Sequence, residues 1–104
     1  MPTAEAINNA FKLAAEQDAL LARTLVGGTG SRQIAFLDFY AAFRNLYNLT
    51  INNSKIRDAA YGDRKLVDVI QDWLNNARTA DKNGKQGMVL FKAFNIALGQ
   101  VGIL

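Results

Sequence analysis

Asp68 and Asp72 are the two side chains whose type and spacing come closest to a chemical site in this sequence. They lie four residues apart, so a helix places both on one face, where they could bind a divalent ion or act as an acid–base couple. The same spacing is typical of the solvated face of an amphipathic helix, which is the interpretation we favour.

The rest of the composition argues against catalysis. The chain has no histidine and no cysteine, and its only glutamates are Glu5 and Glu16. Nucleophile–base pairs and transition-metal sites usually need those residue types. We therefore expect a protein that is not an enzyme and that has no metal site and no cofactor.

A glycine-rich loop runs from Val26 to Arg32 and opens into a predicted helix. Free N–H groups at a helix N-terminus attract anions, and Arg32 could assist. However, the loop lacks the spacing of the known phosphate-binding and dinucleotide-binding motifs, and the element before it is a predicted helix rather than a strand. An ordinary turn between two helices is therefore the preferred interpretation.

The segment from Asp81 to Phe94 resembles an EF-hand loop and the start of its exiting helix. A second stretch echoes the same hydrophobic exit pattern at Ile34, Phe36, Asp38 and Phe39. This resemblance implies a degenerate EF-hand-like module. Ala93 takes the position of the bidentate acid, and Lys85 and Gln86 stand where carboxylates are needed. Too few oxygen ligands remain to hold Ca²⁺.

The net charge of +3 arises entirely in the second half of the chain, where eight basic side chains meet five acidic ones over residues 50–104. Basic clusters near helix ends could contact phosphates, and the region around the Tyr61-Gly62-Asp63 turn could form a helix-turn-helix. Asp68 and Asp72 on the recognition helix would repel DNA. A small basic nucleic-acid-binding domain is thus an alternative function, with the candidate residues Lys55, Arg57, Arg64, Lys65, Arg78, Lys82 and Lys85.

Hydrophobic periodicity predicts helices throughout the chain and no persistent strand. We expect an all-α fold: a compact bundle of about four to five helices in a single domain over residues 1–104. Thr3, Ser31 and Asp63 are the expected N-caps. Glycines 27, 28 and 30 are expected to end the first helix. The predicted helices cover residues 4–25, 32–49, 54–60, 64–78 and 88–101.

The second predicted helix is apolar around most of its circumference, which is typical of a central element. Its aromatic side chains are expected to lie in the core rather than to line a ligand site. Two adjacent faces carry the apolar side chains: Phe36, Tyr40, Phe43 and Tyr47 on one, and Phe39, Ala42, Leu46 and Leu49 on the other.

No stretch of the sequence has the unbroken apolar length of a transmembrane helix, and the N-terminal residues do not resemble a signal peptide. The absence of cysteine fits a reducing compartment. We therefore expect a cytoplasmic protein without a membrane partner.

The last predicted helix has a second apolar side, and an uncharged tail follows it. An apolar surface of this kind favours contact with another protein or with a second copy of the chain. The sequence thus predicts a non-enzymatic α-helical protein–protein interaction or assembly module, of an accessory, inhibitory or virion-associated type. The candidate partner-binding residues are Val89, Ala93, Ile96, Val101, Ile103 and Leu104, with Lys85 and Lys92 as charges at the edge.

Overall fold

The computed structural model describes residues 3–24, 29–81 and 84–104, and the side chains of residues 3–21, 35–81 and 84–104. Within these residues the chain forms five helices and one very short antiparallel hairpin, packed as a compact bundle. The predicted all-α fold and the order of its helices are confirmed. The elements are α1 (Ala4–Thr24), α2 (Thr29–Thr50), α3 (Ser54–Arg57), β1 (Ala60–Tyr61), β2 (Arg64–Lys65), α4 (Leu66–Ala80) and α5 (Lys85–Gln100).

Helix α2 is the central element, as its all-round apolar pattern predicts. Phe39 and Phe43 are fully buried, and both rings contact Trp73 of α4 and Phe91 of α5. Phe11 brings α1 onto the same cluster by stacking on Phe91 at a centroid separation of 5.1 Å. The aromatic row of α2 is therefore core, because its rings pack against one another and against aromatic rings of α4 and α5.

The two ends of the chain have well-formed helix caps. The Thr3 hydroxyl accepts a hydrogen bond from the Ala6 N–H at 3.1 Å, which confirms it as the N-cap of α1. At the end of α5, Gly102 adopts a φ of 81° and the Ile103 N–H donates to the Leu98 carbonyl at 3.0 Å. This is a Schellman motif, and it turns the tail back onto the helix.

The start of α2 differs from the prediction. Its described part starts at Thr29, three residues earlier than expected, so Gly30 and Ser31 lie inside the helix. Ser31 is thus not its N-cap. Gly27 and Gly28, expected to end α1, lie outside the described residues.

The connection between α3 and α4 is the main departure from the predicted fold. We expected a third helix to residue 60 and Asp63 as the cap of the fourth. Instead α3 ends at Arg57, and Ala60 and Tyr61 pair with β2 across a two-residue Gly62-Asp63 turn. Gly62 makes this turn possible because its φ is +65°, which costs little only for glycine. Asp63 therefore lies in the turn, and α4 begins after β2.

Helix α5 begins at Lys85, three residues before its predicted start, and a buried carboxylate explains why. Asp81 ends α4, and its Oδ2 accepts hydrogen bonds from the Trp73 Nε1–H and from the Gly87 N–H, each at 2.8 Å. The Gly87 N–H is one of the four donors that a helix start leaves without an intrahelical partner. Asp81 therefore caps α5 from outside and ties it to α4. We call this arrangement the Asp81 clamp.

Candidate protein-binding surface

Helix α5 has one buried side and one exposed apolar side. Leu90, Phe94 and Leu98 face the core, whereas Val89 and Ile96 are 56% and 62% exposed. Side chains seven residues apart lie on the same face of a helix, two turns from one another. Two large aliphatic side chains thus stand in solvent along one line.

Ala93 lies between these two side chains and is half-buried. We call the row formed by Val89, Ala93 and Ile96 the α5 ridge. Lys85 and Lys92 are both exposed, and α5 contains no acidic residue. The predicted interaction residues of the helix therefore share one surface, and the charge on that surface is positive.

The tail residues named by the sequence are divided between core and surface. Val101 and Ile103 are half-buried and pack against the hydrophobic core, while Leu104 is 44% exposed. The Schellman motif holds the tail in this position. Packing on the domain itself thus accounts for much of the apolar character of the tail.

Two grooves lie beside the α5 ridge, and the sequence did not indicate them. The α4 groove, of about 380 Å³, is lined by Tyr61, Val69, Lys85, Gln86, Val89 and Leu90. The α3 groove, of about 460 Å³, is lined by Lys55, Ala59, Ala60, Leu66, Ala93, Ile96, Ala97, Gln100 and Val101. Consecutive residues of β1 line the two grooves, so the hairpin forms the wall opposite α5. The Gly62-Asp63 pair was the sequence signal for that wall.

Several of the predicted nucleic-acid residues are already engaged by acidic or aromatic side chains. Arg64 donates to the Asp72 carboxylate at 2.6 Å, and Lys65 and Arg57 both lie near Asp58, at 3.5 and 3.4 Å. The hydrogen bond to Asp72 raises the pKa of Arg64, and the hydrogen bond from Arg57 lowers the pKa of Asp58. These pairs reduce the positive charge available to a phosphate backbone.

The remaining basic candidates do not extend that cluster. The Arg78 guanidinium lies over the Tyr40 ring, 5.3 Å from its centroid. Lys55 and Lys85 belong to the two grooves, and Lys82 lies outside the described residues. A β-hairpin, rather than a simple turn, joins α3 to α4, so this segment does not form the helix-turn-helix that the alternative function would use.

The acidic side chains that the sequence singled out as candidate ligands lie either on the exposed face of α4 or inside the fold. Asp68 and Asp72 are both exposed on α4, as expected for its outer face, and Asp72 is paired with Arg64. Among the described residues, no group of three or more acidic side chains could hold a metal ion. In the stretch that resembles an EF-hand, the Asp81 carboxylate is used inside the fold, and Lys85, Gln86 and Gly87 form the first turn of α5.

The glycine-rich loop, for which the sequence favours an ordinary turn over an anion site, lies outside the described residues at positions 25–28, as does the side chain of Arg32. Helix α2 is described from Thr29 onward.

Asp18 of α1 interacts electrostatically with Lys92 on the surface of α5. Its Oδ1 is buried, and no described residue gives it a hydrogen bond. Burial raises the pKa of Asp18, and the positive charge of Lys92 partly offsets that rise. A raised pKa in the folded state means that the ionised form of Asp18 costs stability at neutral pH.

Asp18→Asn is therefore expected to raise the free energy of unfolding at pH 7. The folded protein holds the Asp18 proton more tightly than the unfolded chain does. The loss of stability caused by ionised Asp18 is therefore absent below the unfolded pKa of about 3.8, and it grows as the pH rises through the higher pKa of the folded state. The gain of the variant over the wild type should shrink as the pH falls from 7 towards 4. Urea unfolding of both proteins at several pH values checks this, and a constant difference would refute it.

Compared with models of protein families, with curated proteins and with solved structures, the chain matches none of them. Among its described helices, none combines the length and the apolar character that crossing a bilayer requires.

Proposed function

We propose that this chain is a non-enzymatic α-helical interaction module that binds another protein through the α5 ridge and its two grooves. The observation that carries the proposal is the exposure of Val89 and Ile96 on one line of α5. We propose that the protein has an accessory or inhibitory role in the cytoplasm and exerts it by binding alone.

Continuity distinguishes the α5 ridge from other exposed apolar side chains of the protein. Leu13 on α1 and Leu37 on α2 are exposed to a similar degree, and single exposed aliphatic residues are normal on a protein surface. Val89 and Ile96, by contrast, form one apolar row on α5 together with Ala93. Val89 lines the α4 groove, whose walls are largely apolar, and Ile96 lines the α3 groove, whose walls combine polar and apolar groups. A contiguous apolar surface of this kind is what protein interfaces bury at their centre.

The groups that could perform catalysis support the same proposal by their positions. The Asp81 carboxylate accepts hydrogen bonds from the Trp73 and Gly87 N–H groups. Asp72 is held by Arg64 at the surface. Each carboxylate thus accepts hydrogen bonds from N–H donors rather than from a hydroxyl nucleophile of the kind that an acid–base pair activates.

Ile96→Asp is expected to weaken binding of the partner at least about tenfold, because it places a charge inside the apolar contact. A photoreactive residue at position 96 in the native host would capture the partner for purification. The dissociation constant is then measured for the purified wild type and for the variant by calorimetry.

Leu37→Asp is the matched control, since Leu37 is 49% exposed on α2 and lines neither groove. This variant should bind like the wild type, and both variants should unfold at nearly the wild-type urea concentration, because both sites are exposed. A partner that binds Ile96→Asp as tightly as the wild type would refute the proposed function. Failure to cross-link any protein at position 96 would count against it in the same way.

A further inference from the structure

We infer that the occupant of the α5 ridge is an acidic amphipathic helix of the partner protein, one whose apolar stripe is flanked by glutamate or aspartate on both sides. This inference rests on the proposed function and names the chemistry of the partner. The evidence is the shape of the surface, the placement of its charges and the poor fit of a second copy.

The shape of the surface suits a helix. The side chains of the α5 ridge follow the spacing of four and three residues that a second helix uses when its own side chains pack between them. The ridge is two turns long, about 10 Å, on a helix of 16 residues that spans about 24 Å. The hairpin strands are only two residues long, so their edge offers little to a β-strand.

The charges on this surface are lysines placed on both sides of the ridge. Ala93 and Ala97 line the α3 groove, and Lys55 lies in the same groove. Lys92 lies on the other side of Ile96, because four residues of a helix turn through slightly more than one full turn. Lys85 lines the α4 groove. A helix lying on the ridge would therefore have a lysine along each of its edges.

No acidic residue lines either groove. Asp58 and Asp72, beside the hairpin, already pair with basic residues of the hairpin and α3. Asp63, in the hairpin turn, is exposed but lines neither groove and forms no ion pair within 4 Å with a described lysine. Asp18 attracts Lys92 from α1, but it forms no ion pair with it within 4 Å in the described structure. The lysines around the ridge are thus left to attract carboxylates from outside the chain. Such attraction raises the association rate of an acidic partner and selects it over neutral or basic ones.

A second copy of the chain fits this surface less well than an acidic helix does. A second α5 offers no carboxylate to these lysines in either orientation, because the helix contains no acidic residue. If a twofold axis perpendicular to α5 relates the two helices, they run antiparallel, with the axis near the midpoint of Val89 and Ile96. That midpoint lies between residues 92 and 93, so the two Lys92 side chains would meet beside the axis. Like charges placed together in this way oppose self-association.

A designed helical peptide tests the inference on the full chain. The probe carries leucines at alternating spacings of three and four residues with glutamates on both flanks, and a fluorescent label. Two matched peptides replace the glutamates by lysines or scramble the sequence at constant composition. Fluorescence anisotropy should give a dissociation constant at least about tenfold lower for the glutamate probe than for either control, and the binding should weaken with salt.

The lysines are tested with two double variants that remove the same charge. Lys85→Gln with Lys92→Gln is expected to weaken binding of the glutamate peptide about tenfold. Lys12→Gln with Arg44→Gln should change it less than twofold, because Lys12 and Arg44 are exposed on α1 and α2. Equal effects of the two double variants, or equal binding of the three peptides, would overturn the inference.

Other occupants appear as distinct results. A dimer in light scattering that Ile96→Asp converts to a monomer would assign the ridge to a second copy. Sedimentation with phosphatidylserine vesicles that Ile96→Asp abolishes would assign it to an anionic membrane surface. Either result overturns the acidic helix. A captured partner that needs Ile96 but binds through a neutral or basic surface would also overturn it, while leaving the proposed function in place.

Discussion

Gly87→Ala is expected to destabilise the fold by about 3 kcal/mol, because there is no space for a methyl group at this position. A Cβ on Gly87 would collide with Cζ2 of Trp73 and would lie 2.9 Å from Cε1 of Phe39. Both rings are buried and locked in the aromatic cluster, so they cannot swing away as an exposed side chain would. The loss is measured from urea unfolding followed by Trp73 fluorescence.

Gly99→Ala is the matched control because it makes the same substitution in the same helix. Outside the adjacent residues and the backbone of its own helix, no atom lies within 4 Å of a Cβ built on Gly99. Alanine has the higher helix propensity, so this variant should equal the wild type or exceed its stability by up to about 0.5 kcal/mol. If Gly87→Ala and Gly99→Ala unfold at the same urea concentration, Gly87 does not pack as closely against Trp73 as the structure shows.

Asp81→Ala has the second large expected effect, a loss of about 3 kcal/mol in the free energy of unfolding. Asp81 is 6% exposed, and its carboxylate accepts both hydrogen bonds of the clamp on one oxygen. Alanine leaves the Trp73 indole N–H and the Gly87 N–H without that acceptor. Buried donors that lose an acceptor cost about 1–3 kcal/mol each, and the bonds to a charged acceptor are the stronger kind.

Asp81→Asn separates the hydrogen bonds from the charge, since its amide oxygen can still accept from both donors. We expect a smaller loss for Asn than for Ala, and no loss for Asp38→Ala, which removes an exposed acid of α2. Urea unfolding gives the stabilities, and the ¹⁵N–¹H resonance of the Trp73 indole reports the bond directly. An unshifted indole resonance in Asp81→Ala would contradict the clamp.

The parts of the fold that follow from neighbours in sequence could be predicted. The apolar seam of α4, the central position of α2 and the Thr3 cap depend on residues one to four positions apart, where helical period and capping chemistry act. The hairpin was missed because its strands are too short to show alternation. The Gly62-Asp63 pair is compatible both with a hairpin turn and with the end of one helix followed by the cap of the next, and local sequence favours the second.

The candidate site was predicted in part. The helical periodicity of α5 singles out Val89, Ala93 and Ile96. One side of this helix is already apolar because it packs on the core, and these three positions make a second side apolar. The grooves beside them could not be predicted, since Lys55, Val69 and Tyr61 come from three separate elements that only packing brings to α5.

The sequence by itself determined the helical class of this protein, the apolar character of α5 and the scarcity of reactive side chains. Each of these follows from residue types and from spacings within one helix. Only the tertiary structure decided that Asp81 serves α5, that Val101 and Ile103 pack on the core, and that lysines lie on both sides of the ridge. The physical reason is that those contacts join residues distant in sequence, and their distances are set by how the aromatic core positions α4 and α5 around α2.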